Sequence, residues 1–313
     1  MRTPEFWARR GVLAVALSPL GQATRWFTAR RVARGGFTPG VKVICVGNAG
    51  VGGAGKTTLV LDLLARLPGC KFALTRGYGG ALAGPLLVDE ALHSAAQVGD
   101  EALLLAQLAP TVVARDRAAG ARLALAEGAS VIVMDDGLQN PSVAKTLSLL
   151  VIDGGYGFGN GFLLPAGPLR EPVAQAARRC RAAVLIGRDE TGALAALPSG
   201  LPVLRAALVT DCSEDLSHRP VIAFAGIARP EKFFRSVRDM GAELVAMHGF
   251  ADHHVYGSGD AARLLEAATR RGATLVTTAK DYVKLPPTLR AASLMVRVRL
   301  EWEDEAALRA ILA

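Results

Sequence analysis

Cysteine is scarce and poorly spaced for metal or redox chemistry. Cys45, Cys70, Cys180 and Cys212 lie far apart and form no CxxC pair, which excludes a zinc knuckle and a thioredoxin-type motif. With apolar flanks they read as buried small hydrophobes in a reducing cytosol. Long apolar runs are missing too: the stretch 11–17, followed by Ser18, Pro19 and Leu20, is far short of the ~20 residues a membrane-spanning helix needs. Tandem repeats are absent, and the Asn/Thr-Lys-x-Asp spacing that reads guanine fails because Lys280 and Asp281 are adjacent. Acidic residues are the minority charge, 28 against 36 Lys plus Arg, which leaves a formal +8. That balance points to acidic partners: nucleic acid, anionic lipid or phosphorylated substrates.

What the sequence does have is a basic leading edge. Arg2, Arg9, Arg10, Arg25, Arg30, Arg31 and Arg34 crowd the first segment, among Phe6, Trp7, Leu13, Leu17, Leu20, Trp26 and Phe27. Two short amphipathic pieces broken at Pro19 fit an interfacial membrane helix; the same segment could instead dock on the protein as a first helix. A signal peptide fits less well, because arginines follow the apolar stretch as well as precede it. The 313 residues, 51% hydrophobic and 20% charged, make a globular chain that can bury a sizeable core and fill two modest α/β domains.

From Val41 onward short apolar runs alternate with amphipathic helical stretches, the signature of a helix-covered parallel sheet. Strands are expected at 41–46, 71–74, 111–113, 131–134 and 147–152, and helices at 56–67, 101–108 and 116–127. The polar patch 211–219 reads as a linker. Beyond it, strands are expected at 221–224, near Leu244, at 274–277 and at 293–298, with helices at 231–240 and 260–271. The expected organisation is a membrane-association segment over 1–34, a P-loop NTPase-like doubly wound parallel sheet over 35–212, and a second, smaller α/β domain over 213–313. The last helix, 304–312, could fold back on either domain.

Gly50-Val51-Gly52-Gly53-Ala54-Gly55-Lys56-Thr57 matches GxxxxGK[ST] between an apolar strand and a helix. Its glycines let backbone amides converge on phosphates, and the helix N-terminus adds a favourable dipole. Lys56 would reach the β- and γ-phosphates of ATP, Thr57 would offer Mg²⁺ a hydroxyl, and Thr58 continues the helix start. At the end of the 131–134 strand stand Asp135, Asp136 and Gly137, where a Walker B carboxylate would face the nucleotide. Strand alternation sends the two acids to opposite sides unless the strand has already ended; a plain Asp-Gly turn is the simpler alternative. Asp100, at the start of the 101–108 helix, reads as a cap or as a base. Asp252-His253-His254 reads as a surface loop or as proton chemistry, without the spacing of a zinc site.

Several stretches recur in order over nearly the whole chain: Phe6-Trp7, Val46-Gly47-Asn48 with the Gly-rich loop, Arg76-Gly77-Tyr78-Gly79, Gly99-Asp100-Glu101, and Asp135-Asp136-Gly137-Leu138-Gln139. After them come Gly159-Asn160-Gly161, Leu164-Pro165-Ala166-Gly167-Pro168-Leu169-Arg170-Glu171, Phe250 with Asp252-His253-His254, and Thr277-Thr278 with Lys280-Asp281. In this set the chain resembles the tetraacyldisaccharide 4′-kinase family of lipid A biosynthesis. The resemblance implies transfer of the ATP γ-phosphate, with Mg²⁺, to the 4′-hydroxyl of a tetraacyldisaccharide 1-phosphate, giving lipid IVA. It implies a monomer, peripheral at the cytoplasmic face of the inner membrane, whose partners are the lipid A precursor and an anionic membrane surface rather than nucleic acid.

By the same resemblance Asp100 is the catalytic base, with His253 assisting, Asp252 beside it and Lys56 neutralising charge. Two domains would close to bring His253 to Asp100. Asn48, Arg76, Tyr78, Glu101, Gln139, Arg170 and Glu171 fall in substrate-side loops, and Thr57, Asp135 and Asp136 at the metal. Without the resemblance, Arg170 and Glu171 would read as a surface ion pair. Departures are Asn140 where the family usually has His, Thr58 and Ala251 where Pro is frequent, Arg229 for Asn and Ala279 for Glu. Two rival readings remain: a P-loop NTPase acting as a partner-loading switch at the membrane, and a non-catalytic basic binder, which leaves the P-loop and the paired acids unexplained.

Overall fold

The structure, a computed structural model, describes residues 4–227 and 230–313; Arg2 and Arg229 lie outside them. The chain opens with a 3-10 turn at Glu5–Trp7, α1 (Val12–Leu17), a second 3-10 turn at Ser18–Leu20 that holds Pro19, and α2 (Gly21–Val32). Next come β1 (Lys42–Gly47), α3 (Lys56–Arg66), β2 (Lys71–Thr75), β3 (Leu86–Leu87), α4 (Ala95–Val98), α5 (Asp100–Ala106) and β4 (Thr111–Val113). They are followed by α6 (Arg117–Ala126), β5 (Val131–Asp135), β6 (Leu147–Asp153), α7 (Val173–Ala177), β7 (Ala182–Ile186) and β8 (Val203–Cys212). The C-terminal part contains β9 (Pro220–Ala225), α8 (Pro230–Asp239), β10 (Glu243–Gly249), α9 (Ser258–Arg271), β11 (Thr274–Thr278), α10 (Ala279–Tyr282), α11 (Pro287–Ala291), β12 (Ser293–Trp302) and α12 (Glu305–Leu312).

These elements make an α/β fold on one mixed sheet of order β10-β9-β11-β12-β8-β7-β6-β1-β5-β2-β4-β3. Pairing is antiparallel only at β3–β4 and β8–β12 among the described residues. The β8–β12 seam therefore joins an N-terminal parallel array, centred on β1, to a C-terminal one, centred on β9. Helices cover both faces, which is why the central strands are apolar almost without interruption. In β1, Val43 and Cys45 meet the alanines of α6 and α7 (Ala121, Ala124, Ala176, Ala177), while Ile44 and Val46 meet Leu59 and Leu63 of α3. In β9 the same alternation sends Val221 and Ala223 to Phe233 and Val237 of α8, and Ile222 and Phe224 to Leu264 and Leu289.

Three strands were not foreseen. β3 is only a pair of leucines, β7 is an Ala-rich run without strong β-branched signal, and β8 mixes exposed and buried positions along its length. Asp211 and Cys212, expected in a linker, belong to β8, because the antiparallel register pairs them with Arg297 and Val296. The cysteine expectation also needs correction: Cys45 and Cys180 are buried, but Cys70 is exposed. It occupies the turn before β2, where nothing covers the side chain.

The N-terminal segment docks and exposes apolar surface at once. Ala14 and Gly21 are buried, Trp7 Nε1 donates to the Pro165 carbonyl (3.0 Å), and Thr24 Oγ1 to that of Leu164 (2.6 Å). Val12, Leu13, Val15, Leu20, Trp26 and Phe27 remain exposed. In α2 the aromatic and basic side chains are intermixed rather than divided between two faces, with Arg30 stacked 5.4 Å over the Trp26 ring; the expected amphipathic division is not seen there. No helix among the described residues is long and apolar enough to cross a membrane.

The last helix folds back onto the N-terminal array. Leu308 of α12 joins the cluster of Leu59 and Leu63, Glu305 pairs with Arg66 at 2.6 Å, and Trp302 Nε1 donates to Asp62 Oδ2 at 3.0 Å. Leu308 is 1% exposed, so Leu308→Ala is expected to cost about 2–5 kcal/mol of stability by losing transfer energy and leaving a cavity, measurable as a fall in the denaturant midpoint at unchanged slope.

Candidate active site

The glycine-rich turn leaves β1 and delivers Lys56 and Thr57 into the first turn of α3. Gly55, its N-cap, sits at φ 82°, a conformation that disfavours any side chain; a Cβ there would also stand 2.7 Å from Ile186 Cδ1. The turn is strapped from outside by the 168–170 segment: Val51 N–H donates to the Pro168 carbonyl and Arg170 N–H to that of Ala49, both at 2.8 Å. Lys56 Nζ lies 3.2 Å from the Gly52 carbonyl, 3.4 Å from Asn48 Oδ1 and 3.8 Å from Asp136 Oδ1.

β5 ends at Asp135, and Asp136 has φ 51°, so the chain leaves strand geometry between the two acids and strict alternation does not govern them. Asp136 accepts a two-pronged bond from Arg170, Nη1 to Oδ1 and Nη2 to Oδ2, each 2.9 Å. Burial would raise its pKa, but the charges of Lys56 and Arg170 outweigh it and hold this carboxyl below its ordinary value. Asp135 is 3% exposed; its Oδ1 is buried and accepts no hydrogen bond. Burial, with the charges of Glu101 and Asp136, pushes its pKa up to about 7.

Arg170 and Glu171 are not a surface pair. Glu171 is buried and receives Gln139 Nε2 at 2.9 Å and Arg179 Nη2 at 2.6 Å. Gln139 also donates to the Asn48 carbonyl at 2.8 Å and accepts from Arg170 Nη1 at 3.2 Å, which ties the strap to the mouth of the Gly-rich turn. Asn140 caps its own turn by accepting from Ser142 N–H and Oγ, and Lys145 bonds its carbonyl.

Asp100, 3% exposed, begins α5. One oxygen does what a helix-start acid does, Oδ1 accepting from Glu101 N–H at 3.0 Å. Oδ2 instead lies 2.9 Å from His253 Nδ1, 3.6 Å from Lys284 Nζ and 3.8 Å from Lys280 Nζ. Burial opposes the charge of Asp100, yet the His253 bond and Lys280 hold its pKa below the ordinary value. That same bond raises the pKa of His253. Closure was expected to bring these two together; here they already touch, across 153 residues of chain.

The 252–254 loop is built to present that ring. His253 takes φ 59°, and its N–H donates to the Gly226 carbonyl at 3.1 Å. His254 stacks on Phe250 at 4.6 Å and holds Asp260 at 3.0 Å; it anchors the loop and does not enter the site. Asp252 Oδ2 stands 3.7 Å from His253 Nε2. Tyr78 is 62% exposed with its ring 6.1 Å from His253. Gly99, at φ 88°, lets the Tyr78 carbonyl approach to 2.5 Å of where a Cβ would stand, which sets the 76–79 loop against Asp100. Arg76 is exposed on that loop. Glu101 Oε1 lies 3.6 Å from Lys280 Nζ.

Gly50, Gly52, Gly53 and Ala54 line one cavity with Asn48, Pro168 and Leu169; Thr57 and Thr58 lie in the first turn of α3, Asp136 and Arg170 meet just past Asp135 at the end of β5, and Asp100 meets His253. The sequence offered no signal for Arg117, a buried guanidinium donating to the Ala114 carbonyl (2.7 Å) and the Asp135 carbonyl (3.3 Å), with its pKa pushed down by burial to about 10. Lys284 was also missed. It lies just past the end of α10, two residues beyond Tyr282.

Among known proteins, the family described as Tetraacyldisaccharide-1-P 4′-kinase matches residues 13–313. The chain is 56% identical to the tetraacyldisaccharide 4′-kinase of Gluconacetobacter diazotrophicus, over 97% of this chain and 95% of that one. It is 53% identical to the enzyme of that name from Methylorubrum extorquens, over 100% and 98%. A crystal structure of LpxK from Aquifex aeolicus in complex with ATP superposes with a TM-score of 0.79 at 28% identity, over 96% of this chain and 98% of that one. With nearly its whole length matched in sequence and fold, the chain belongs to the tetraacyldisaccharide-1-P 4′-kinase family.

Proposed function

We propose that this chain carries out its family's phosphoryl transfer with Asp100 as general base, His253 as the residue that orients it, and the Gly50–Thr57 turn as the seat of ATP. The chain is an ATP-dependent kinase of lipid A biosynthesis, forming lipid IVA. The observation that carries the residue assignment is the 2.9 Å contact between a buried carboxylate and an imidazole. A base of this kind takes the acceptor hydroxyl's proton as the new bond to phosphorus forms, worth roughly 10²–10⁴-fold; the remaining acceleration comes from positioning and charge stabilisation.

The surroundings fit a P-loop NTPase-like, doubly wound arrangement with a second, smaller α/β unit from about residue 213 on. Lys56 and Arg170 supply positive charge at the phosphates, and Asn48 and Gln139 hold their side of the mouth. Arg76, Tyr78, Glu101 and Asp252 rim the space before the base, on the acceptor side. Thr57, Asp135 and Asp136 are the residues to hold Mg²⁺. The buried, unbonded Oδ1 of Asp135 is what such an ion would satisfy, whereas both oxygens of Asp136 already engage Arg170. Mg²⁺ when bound neutralises phosphate charge.

The exposed apolar and arginine side chains of the N-terminal segment support peripheral binding to an anionic membrane, at the cytoplasmic face where ATP is available.

Labelled ATP with purified tetraacyldisaccharide 1-phosphate in detergent micelles tests this reading. Phosphate should appear on the lipid, and Lys56→Ala and Asp100→Ala should each lower kcat at least about 10²-fold; an Asp100→Ala enzyme with normal turnover would return that residue to helix capping.

A pH dependence follows from the pair. His253's pKa is raised, so its extra stabilisation is fully present below the ordinary 6.5 and is lost as pH rises through the higher folded value. The stability gap between parent and His253→Gln should accordingly be larger below that value than well above it, as read by denaturant unfolding.

For the membrane, Trp26→Ser/Phe27→Ser should weaken co-sedimentation with anionic vesicles and leave ATP binding unchanged. Deleting the whole segment is the poorer test, because Thr28 Oγ1 bonds the Arg170 carbonyl at 2.9 Å.

A further inference from the structure

The 277–284 stretch has an arrangement that phosphoryl transfer as described does not use. Thr278 caps α10, Asp281 lies within that helix, and Lys284 stands in the turn just past it, its N–H donating to the Asp281 carbonyl at 2.9 Å. Asp281 is fully buried and Lys284 is 4% exposed. Their charged atoms lie 3.0 Å apart as an ion pair without a well-angled hydrogen bond.

Lys284 touches Asp100 directly, and Asp281 reaches His253 through the backbone of Gly226. Lys284 Nζ also faces Asp100 Oδ2 at 3.6 Å. Asp281 Oδ2 accepts from Gly226 N–H at 3.0 Å and from Thr278 Oγ1 at 2.7 Å, and the carbonyl of that same Gly226 receives the N–H of His253. The charged groups around Asp100 are therefore His253, Lys280 and Lys284 from the C-terminal array and Glu101 from its own helix, with Asp252 beyond His253 and Asp281 behind Lys284. Lys280, 26% exposed, is open to the site; Lys284 is enclosed.

We infer that Asp281 and Lys284 are positioning residues for the kinase reaction: a buried ion pair of the C-terminal array that holds Asp100, carried by the N-terminal array, in register with His253, so that the base is complete only when the two arrays are docked. The inference rests on the reading of Asp100 as base. An ion pair buried for stability alone has a poor physical rationale, because desolvation of both partners cancels much of the attraction. Fixing a third charge across an interface is a use that such a pair serves well.

The experiment compares the full-length parent in detergent micelles with Lys284→Met/Asp281→Asn, which removes both charges and leaves no uncompensated buried ion of the pair. Thermal midpoint, kcat, KM for ATP and the His253 imidazole titration by NMR are measured together. The expected result is a near-parental midpoint, an ATP KM within about two-fold, kcat lower by roughly 10- to 100-fold, and a His253 pKa that falls toward the ordinary histidine value as its contact with Asp100 loosens. Parental kcat in the double variant, with Lys284→Met alone impaired, overturns the inference, since the two charges then only balanced each other. An unmoved His253 titration overturns it as well.

Thr278→Val is the milder variant should the double one not fold; it removes the two bonds between the Thr278 hydroxyl and Asp281, to Oδ2 and from the backbone N–H, and unchanged kcat and unchanged His253 titration there count against the role. Asp100→Asn run in parallel separates the two ideas. Parental turnover in Asp100→Asn removes the base reading and leaves the His253 titration to decide the geometry, whereas an impaired Asp100→Asn beside an unimpaired double variant removes the positioning role alone.

Discussion

A carboxylate buried to 3% exposure and still ionised is the constraint from which most of this structure follows. Taking an unpaired charge out of water is prohibitive, so Asp100 needs cations or donors in its first contacts. His253, Lys280 and Lys284 provide them, and all three come from the far end of the sheet. Separating the two arrays would leave Asp100 with only the Glu101 N–H on one side and Lys284 facing only Asp281 on the other. The antiparallel seam of β8 and β12 and the return of α12 onto α3 hold those surfaces in place, so the same contacts that complete the site also resist its opening.

The acids at the end of β5 answer the same problem in the opposite way. Asp136 turns out of strand geometry at φ 51° and finds Arg170 and Lys56, which keep it charged. Asp135 stays in the enclosed strand end beside Glu101, and nothing of comparable strength offsets its burial, which leaves its pKa near 7. Two neighbours of identical chemistry are thus set apart by one backbone torsion. One is a fixed anion that aims two cations; the other has an oxygen still open, the condition a metal ligand needs.

Features that depend on neighbours in sequence are legible from the sequence alone. The Gly-rich turn, its strand and its helix, the paired acids and the helical faces of α3, α8 and α9 all rest on local spacing. Features that depend on distant partners are not. Asp100 reads as a helix start because one of its oxygens is used that way; only the other oxygen reveals His253, and without the family resemblance nothing links residues so far apart. Arg117 opens α6 like any surface arginine and turns inward only because the ends of β4 and β5 present carbonyls to it. β7 and β8 carry weak signals because alanines and alternating exposure mark no clear strand, and the sequence does not show where α12 docks because an apolar helical face does not say which surface it will meet.

The N-terminal segment shows how far such coupling extends. Its outward face carries Trp26 and Phe27, but its inward face is bonded to the strap that closes the Gly-rich turn: Trp7 to Pro165, Thr24 to Leu164 and Thr28 to Arg170. Arg170 in turn forks onto Asp136, and Asp136 faces Lys56. A continuous chain of hydrogen bonds and ion pairs thus runs from the apolar, arginine-rich surface to Lys56 of the Gly-rich turn. Each link uses a carbonyl or carboxylate that would otherwise lose its partner, and such losses cost about 1–3 kcal/mol when the group is buried. A segment held in this way is part of the N-terminal array's packing, and the exposed apolar side chains it displays are fixed in orientation relative to the Gly-rich turn by the same bonds.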